Sequence, residues 1–395
     1  MTTPDWVGPQ VRPWMIAAIV TVDRTRWLGR TMGAAWQDLS APPDIVVPVG
    51  SLSKLVGSVL ALRLACVGAL DLSAPASSVS DPFRFGRPTI GELMAHTASL
   101  LPMVTVPVVV AAPGTQWCYS NAGYCALAAE ITLATGVPFR RMVIEEIGPL
   151  TGSRLGQPFI RIPESGFELV GKRVLRVPYV RPHGGWPSYG MIGSPEDVAR
   201  FVGALALDPS LRTVLDRLRE PWRSRGVVLS LQGTGARRRC EHGRVWAAHG
   251  GQWVGYSHYV AIAPGAAVLV LSNYRDNGGS QARHAAHTLM ADVAVPAVSE
   301  VDGDVEPVEA ELAAPGPAVL SMAARGSLGR RVLIGFDRCT GALRGRRTFP
   351  LTPVPGFPGI WSYSAKGEHR HLSFTRTELG DLLMVERPGC LYTVQ

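Results

Sequence analysis

The chain has 395 residues, 46% of them apolar, with 39 Lys and Arg against 31 Asp and Glu. A chain of this length buries roughly three quarters of its unfolded surface, and with only 18% charged residues, 43 glycines and 32 prolines it falls outside the disordered and collagen-like classes. Only Lys54, Lys172 and Lys366 are lysines, so each must be asked whether it does something a permanently charged guanidinium cannot do.

In chain order, the first element is an apolar run from Trp14 to Val22, which reads as a strand. It lacks the basic flank and small-residue cleavage site of a secretion signal. With six cysteines that show no paired spacing, the expected address is cytoplasmic. From Ser51 to Gly68 the sequence SLSKLVGSVLALRLACVG predicts a helix that is apolar nearly all round, apart from Lys54 and Arg63. Such a helix belongs in the middle of a domain. The apolar stretch 100–112 contains Pro102 and Pro107 and is too short to span a bilayer, so no membrane partner is expected. Residues 113–124 read as a loop that carries Tyr119 and Asn121 into another helix. Ser194-Pro-Glu-Asp197 predicts a further helix start, with Ser as the cap and acids in the first turn. Runs at 245–248, 256–262 and 267–271 read as adjacent antiparallel strands.

Near residue 300 the composition changes. Glu300, Asp302, Asp304, Glu306, Glu309 and Glu311 lie among prolines with no base until Arg325. This predicts a catalytic domain over 1–298, an acidic Pro-containing linker over 299–320 and a small antiparallel β domain over 321–395. Most of the net charge of +8 lies after residue 320. Arg237-Arg238-Arg239 and the arginines at 344–347 lack the interleaved aromatics of a nucleic-acid motif, and no nucleic-acid partner is expected.

Ser51 and Lys54 stand three apart, so on a helix both project from one face and the amine leans back toward the hydroxyl. In apolar surroundings such an amine is a plausible acceptor for the Ser51 proton. The plainer alternative makes Ser51 an N-cap and has Lys54 merely snorkel from a core helix. Tyr119 and Asn121, two apart at a loop, and His249-Gly250-Gly251-Gln252, on a strand edge where backbone approaches a ligand closely, would singly be a core phenol and a structural histidine. Together with Ser51 and Lys54 they form a set. His284-x-x-His287 and His369-x-His371 lack further ligands, so no zinc site is expected.

In these residues the chain resembles the serine β-lactamase and penicillin-binding protein-like family, in particular its class C branch with related esterases, D-aminopeptidases and acyltransferases, including transacylases of the capuramycin type. The resemblance covers roughly residues 12–290. It rests on Gly50-Ser-Leu-Ser-Lys54, Tyr119-Ser-Asn121 and His249-Gly-Gly251, supported by Gly68-Ala-Leu-Asp-Leu72, Leu93-Met-Ala-His96-Thr97, Tyr189-Gly-Met-Ile-Gly-Ser194 and Leu271-Ser-Asn273. It implies an α/β (α+β) fold, with an antiparallel sheet flanked by helices plus an all-helical lobe. It also implies a Ser51 acyl-enzyme, Lys54 as proton acceptor, Tyr119 as general base and acid, and His249 in place of the K-T-G lysine. Asn121 would bind the acyl side-chain amide or hold Lys54, the Gly250, Gly251 and Gln252 backbone would bind substrate, and the N–H groups of Ser51 and Gln252 would form the oxyanion hole, with no metal or cofactor required.

Two departures stand out. His96-Thr-Ala-Ser-Leu100 replaces the family's H-T-S-G-L, so a loop normally freed by Gly is expected to fold differently. His249, as a neutral imidazole, would bind a penicillin-type carboxylate poorly. The expected partners are a small-molecule acyl donor (ester, thioester or lactam), an amine or water acceptor, and a carrier protein as a further candidate. Transacylation in antibiotic assembly, hydrolysis by the same chemistry and a silent scaffold are the competing readings.

Overall fold

A computed structural model describes residues 12–293, apart from 82–83, 101–106, 108, 110–111, 115–116, 159–162, 183–184, 225–226, 242–243 and 277–278, and beyond residue 321 the backbone of a series of strands. The expected linker, 299–320, lies outside the described residues. So does most of the apolar stretch 100–112.

The chain divides into two compact units, the first made of 1–71, 127–219 and 235–297 and the second of 72–126, 220–234 and 298–395. In the first unit, β1 (Trp14–Thr21), β2 (Thr25–Thr31), β3 (Gln37–Leu39) and a short β4 (Val47–Pro48) lead into helix α1 (Leu52–Cys66). The second unit contributes α2 (Ile90–Ala95), and α3 (Asn121–Thr135) begins there and continues into the first. There follow α4 (Phe139–Met142), α5 (Gly148–Thr151), β5 (Gly166–Val170), β6 (Arg173–Val177), α6 (Trp186–Tyr189), β7 (Ile192–Gly193), α7 (Pro195–Leu207) and α8 (Arg212–Arg219). The hairpin β8 (Pro221–Ser224) and β9 (Val227–Gly233) belongs to the second unit. The first then closes with β10 (Arg237–Glu241), β11 (Arg244–Trp253), β12 (Tyr256–Ala263), β13 (Ala266–Ser272), β14 (Tyr274–Arg275) and α9 (Ser280–Ala291).

The central sheet of the first unit runs β3-β2-β1-β13-β12-β11-β10, and its pairings are antiparallel. Every residue of β12 and β13 is buried, as expected of strands covered on both faces. Helices α7 and α9 lie against β12 and β13, while α1 lies against β11. The two faces are separated by the strand period of two. Trp246 and Ala248 join the core beneath α9, and Gly251, in register with His258 on β12, meets Val49 and Leu52 at the start of α1.

The helix expected from Ser51 is α1, which starts one residue later with Ser51 as its N-terminal flank. Nearly every side chain is buried, including Leu52, Leu55, Val56, Val59, Leu60 and Leu62. Gly57 leaves room for the Phe139 ring, which would meet a Cβ there at 3.3 Å. Helix α7 carries the expected cap in full: Ser194 Oγ accepts from Asp197 N, and the Asp197 carboxylate accepts from Ser194 N and Oγ. Burial acts to raise the Asp197 pKa, but these bonds and Arg154 together hold it below its usual value.

In the second unit α2 has a capping box between Thr89 and Glu92. Beyond residue 321 the strands Met322–Ala324, Thr352–Pro353, Ile360–Ala365, Glu368–Arg376, Leu382–Arg387 and Cys390–Val394 form one sheet, and Gly335–Asp337, Ala342–Arg344 and Thr348–Pro350 another. Residues 361–363, 369–374 and 382–385 lie inside strands of the first of these sheets.

Candidate active site

The segment that delivers Ser51 is pinned before the helix starts. His258 Nδ1 accepts the Ser272 N–H at 3.3 Å, which places the ring proton on Nε2, donated to Pro48 O at 2.8 Å. Val49 N donates to Met191 O at 3.0 Å. Ser53 Oγ donates to Gly50 O at 2.8 Å and accepts from Met191 N at 3.1 Å. Residues on β4, β12 and α1, with Met191 just ahead of β7, thereby fix one turn.

Ser51 occupies the cap position yet makes no side-chain cap bond, so the plainer reading of its hydroxyl does not hold. Instead Lys54 Nζ lies 3.2 Å from Ser51 Oγ and donates to Ser188 O at 2.8 Å. The lysine is 0% exposed, which removes the snorkelling alternative. Ser188 sits in α6, whose first turn is set by Gly185 at φ +58, a position where a Cβ would run into the Tyr189 ring. Tyr189 in turn stacks on Trp253, with centroids 5.2 Å apart and planes at 14°.

Strand β11 brings His249, Gly250, Gly251 and Gln252 to the same place. Pairing with β10 ends at Ala248, so from His249 onward that edge of β11 is no longer joined to β10, the strand edge expected from sequence. Gly50, at φ +56, and Gly251 are what allow this edge to close on α1. A Cβ at Gly50 would come within 2.7 Å of Gln252 N, and one at Gly251 would overlap Val49 O and come within 2.9 Å of Leu52 Cγ. The backbones of Ser51 and Gln252 are therefore neighbours, as two donors to one oxyanion must be. Gly251→Ala is expected to cost about 1–3 kcal/mol of stability and, by displacing Gln252, to lower acylation about 100-fold. Urea unfolding and labelling rates measured on the same preparation check both.

His249 is 8% exposed, and its Nδ1 lies 2.8 Å from Gly250 O. A carbonyl only accepts, so Nδ1 carries the proton and Nε2 presents a lone pair. Burial, then the charge of Lys54, pushes the imidazole down to about 4, against a smaller opposing effect of the Gly250 bond. His258 is also pushed down to about 4, chiefly by burial. Both rings are neutral at pH 7. Below about pH 6.5 the unfolded chain takes up protons that these two sites refuse until about pH 4, so stability present above 6.5 is lost as pH falls through that window. The expected loss is about 3 kcal/mol per histidine. Unfolding midpoints measured from pH 7.5 to 4.5 test this, and His258→Gln should remove about half of the slope.

Tyr119 and Asn121 belong to the second unit, at the start of α3. His96, held at φ +62, accepts Ser120 N on Nδ1 at 3.1 Å and Cys118 N on its carbonyl at 2.7 Å. Its ring lies 4.3 Å from that of Tyr119. The loop after His96 departs from expectation in one respect: Ser99 itself takes the left-handed conformation, at φ +52, and its buried hydroxyl donates to Ala112 O at 2.9 Å. That bond offsets part of the roughly 1–2 kcal/mol a non-glycine residue incurs there.

Sequence reasoning missed Ser188 and His258. The first acts through its carbonyl, which no residue type announces. The second was visible as a polar residue within an otherwise apolar strand, but its partner, Pro48, is 210 residues away. Among the described residues no group of three or more His, Cys, Asp or Glu side chains is gathered as metal ligands.

The chain matches the Beta-lactamase family model over residues 15–294 and belongs to that family, whose members are serine hydrolases and acyltransferases. It is similar to a crystal structure of SurE, with a TM-score of 0.60 and 19% identity over 96% of this chain and 95% of that one. It is also similar to the octameric penicillin-binding protein homologue from Pyrococcus abyssi (0.57, 16%, 96% of each chain). A class C beta lactamase from Rhodobacter sphaeroides gives 0.54 and 19% over 71% of this chain and 95% of that one. These likenesses show the β-lactamase/transpeptidase-like fold. No curated protein matches the sequence.

Proposed function

We propose that the protein is a serine acyltransferase that moves an acyl group from a small-molecule ester or thioester, through a Ser51 acyl-enzyme, to an amine in the assembly of an antibiotic-type natural product. The observation that carries the chemistry is the fully buried Lys54 amine, 3.2 Å from a Ser51 hydroxyl that caps nothing.

In this reading Ser51 Oγ bonds to the acyl carbon as its proton passes to Lys54 Nζ. The carbonyl oxygen takes the negative charge beside the N–H groups of Ser51 and Gln252. Collapse expels an alcohol or thiol, which leaves with a proton; the family resemblance gives that transfer to Tyr119 and substrate binding to Asn121. The acceptor amine then attacks the ester carbon, loses one proton and returns Ser51 to its hydroxyl form.

Transfer rather than β-lactam cleavage is supported by His249. Where a K-T-G lysine would offer a cation, this chain offers a neutral ring with a lone pair, suited to accept a hydrogen bond from an incoming N–H and poorly suited to hold a carboxylate. An ester assay with and without added amine tests the choice. Amide formation that grows with amine concentration at the expense of free acid supports transfer; free acid as the product at every amine concentration makes the enzyme a hydrolase of the same chemistry.

A further inference from the structure

The face of the sheet turned away from Ser51 carries a feature that acyl transfer does not use. In β10, Arg237 stands opposite Ala248 and Arg239 opposite Trp246. Directly opposed residues share a face, so both guanidinium groups lie on the side of Trp246, Ala248 and Tyr259, the side covered by α9. His249 and Gly251 are on the other.

Arg239 is only 5% exposed. The Nε atoms of Arg237 and Arg239 are both buried with no hydrogen-bond partner. Arg239 and Arg283 both act repulsively on Arg237, and Tyr259 acts in the opposite sense. Burial and these two cations push the Arg237 guanidinium down to about 9. From α9, Arg283 and His287 stand one turn apart along the same flank, with His287 Nε2 3.2 Å from Tyr259 Oη.

Withdrawing two cations from water beside a third is unfavourable unless an opposite charge joins them. Arginines two apart on a strand are separated by about 7 Å along the backbone, and two forks at that spacing suit one oxyanion that accepts from both. Two positive charges favour a dianion over a monoanion. We propose that Arg237 and Arg239, flanked by Arg283, bind an oxyanion of phosphate type, as free phosphate or as the phosphoryl group of a small molecule, on the face of the sheet opposite Ser51. The site is independent of which acyl group Ser51 accepts.

Thermal unfolding of the full chain at pH 7.5 tests this in sodium phosphate, sodium acetate and sodium chloride at equal ionic strength, with phenyl phosphate as a fourth arm. Phosphate at about 10 mM is expected to raise the wild-type Tm by about 2–4 °C over chloride, and acetate by less than about 1 °C. Arg239→Met should lose the phosphate response and, in chloride, unfold at or above the wild-type temperature, because an unpaired buried cation has been removed. Arg237→Gln, a milder change at the less buried position, should also lose it. Fluorophosphonate labelling of Ser51 at the wild-type rate certifies that each variant is folded. A shift with phenyl phosphate as well as phosphate identifies a phosphoryl group as a ligand; a shift with phosphate alone identifies the free ion. Equal shifts in phosphate, acetate and chloride, or a phosphate shift retained in both variants, would overturn the proposal.

Discussion

Ser51→Ala is expected to abolish covalent labelling by a fluorophosphonate or penicillin probe and to lower acyl-transfer kcat/KM by about 10⁴-fold or more, the scale on which removing a catalytic nucleophile is felt. The fold should survive it. Ser51 makes no cap bond, and the turn around it is held by His258, Ser53 and Met191, so the substitution removes one hydroxyl from an otherwise unchanged frame. Labelling that persists at full strength in a folded Ser51→Ala protein would mean that another group is the nucleophile.

The second large effect is expected at Lys54. Arginine keeps the positive charge but cannot give up its proton at any working pH, so Lys54→Arg should reduce the acylation rate by about 10² to 10⁴, the usual share of a general base. The pocket was shaped for a slimmer group: Nζ is held between Ser51 Oγ and Ser188 O in a site with no exposure to water. Lys54→Met, close in length and free of charge, separates crowding from chemistry. If Met and Arg lower the rate alike while the Met variant keeps wild-type stability, the titratable amine is what matters. Near wild-type turnover in either variant would remove Lys54 as the proton acceptor.

Several parts of this arrangement were legible in the residues because local chemistry decides them. The all-round apolar pattern of 51–68 could only be a buried helix. Ser194-Pro-Glu-Asp197 is a cap whose donors and acceptors lie within three residues of each other, and the strands β11 to β13 follow from apolar runs broken by turn glycines. Where the outcome depends on distant partners, sequence gave less guidance. The neutral state of His249 follows from its burial and the proximity of Lys54, its tautomer from the bond to Gly250, and the orientation of His258 from Pro48 and Ser272. Gly251 reads as a strand-edge glycine; only the approach of β11 to the start of α1 shows why a side chain is excluded there and at Gly50. That Arg237 and Arg239 share a face with Ala248 and Trp246 is decided by register with β11, which nothing local to β10 reveals.

The measurement that bears most directly on Ser51 acyl transfer is intact-protein mass spectrometry after incubation with panels of esters and thioesters, followed by addition of an amine. The expected result is a mass increase equal to one acyl group, located on the peptide containing Ser51, absent in Ser51→Ala and discharged as an amide when the amine is added. An unmodified protein across panels that it nonetheless turns over, or an adduct located on any residue other than Ser51, would contradict it.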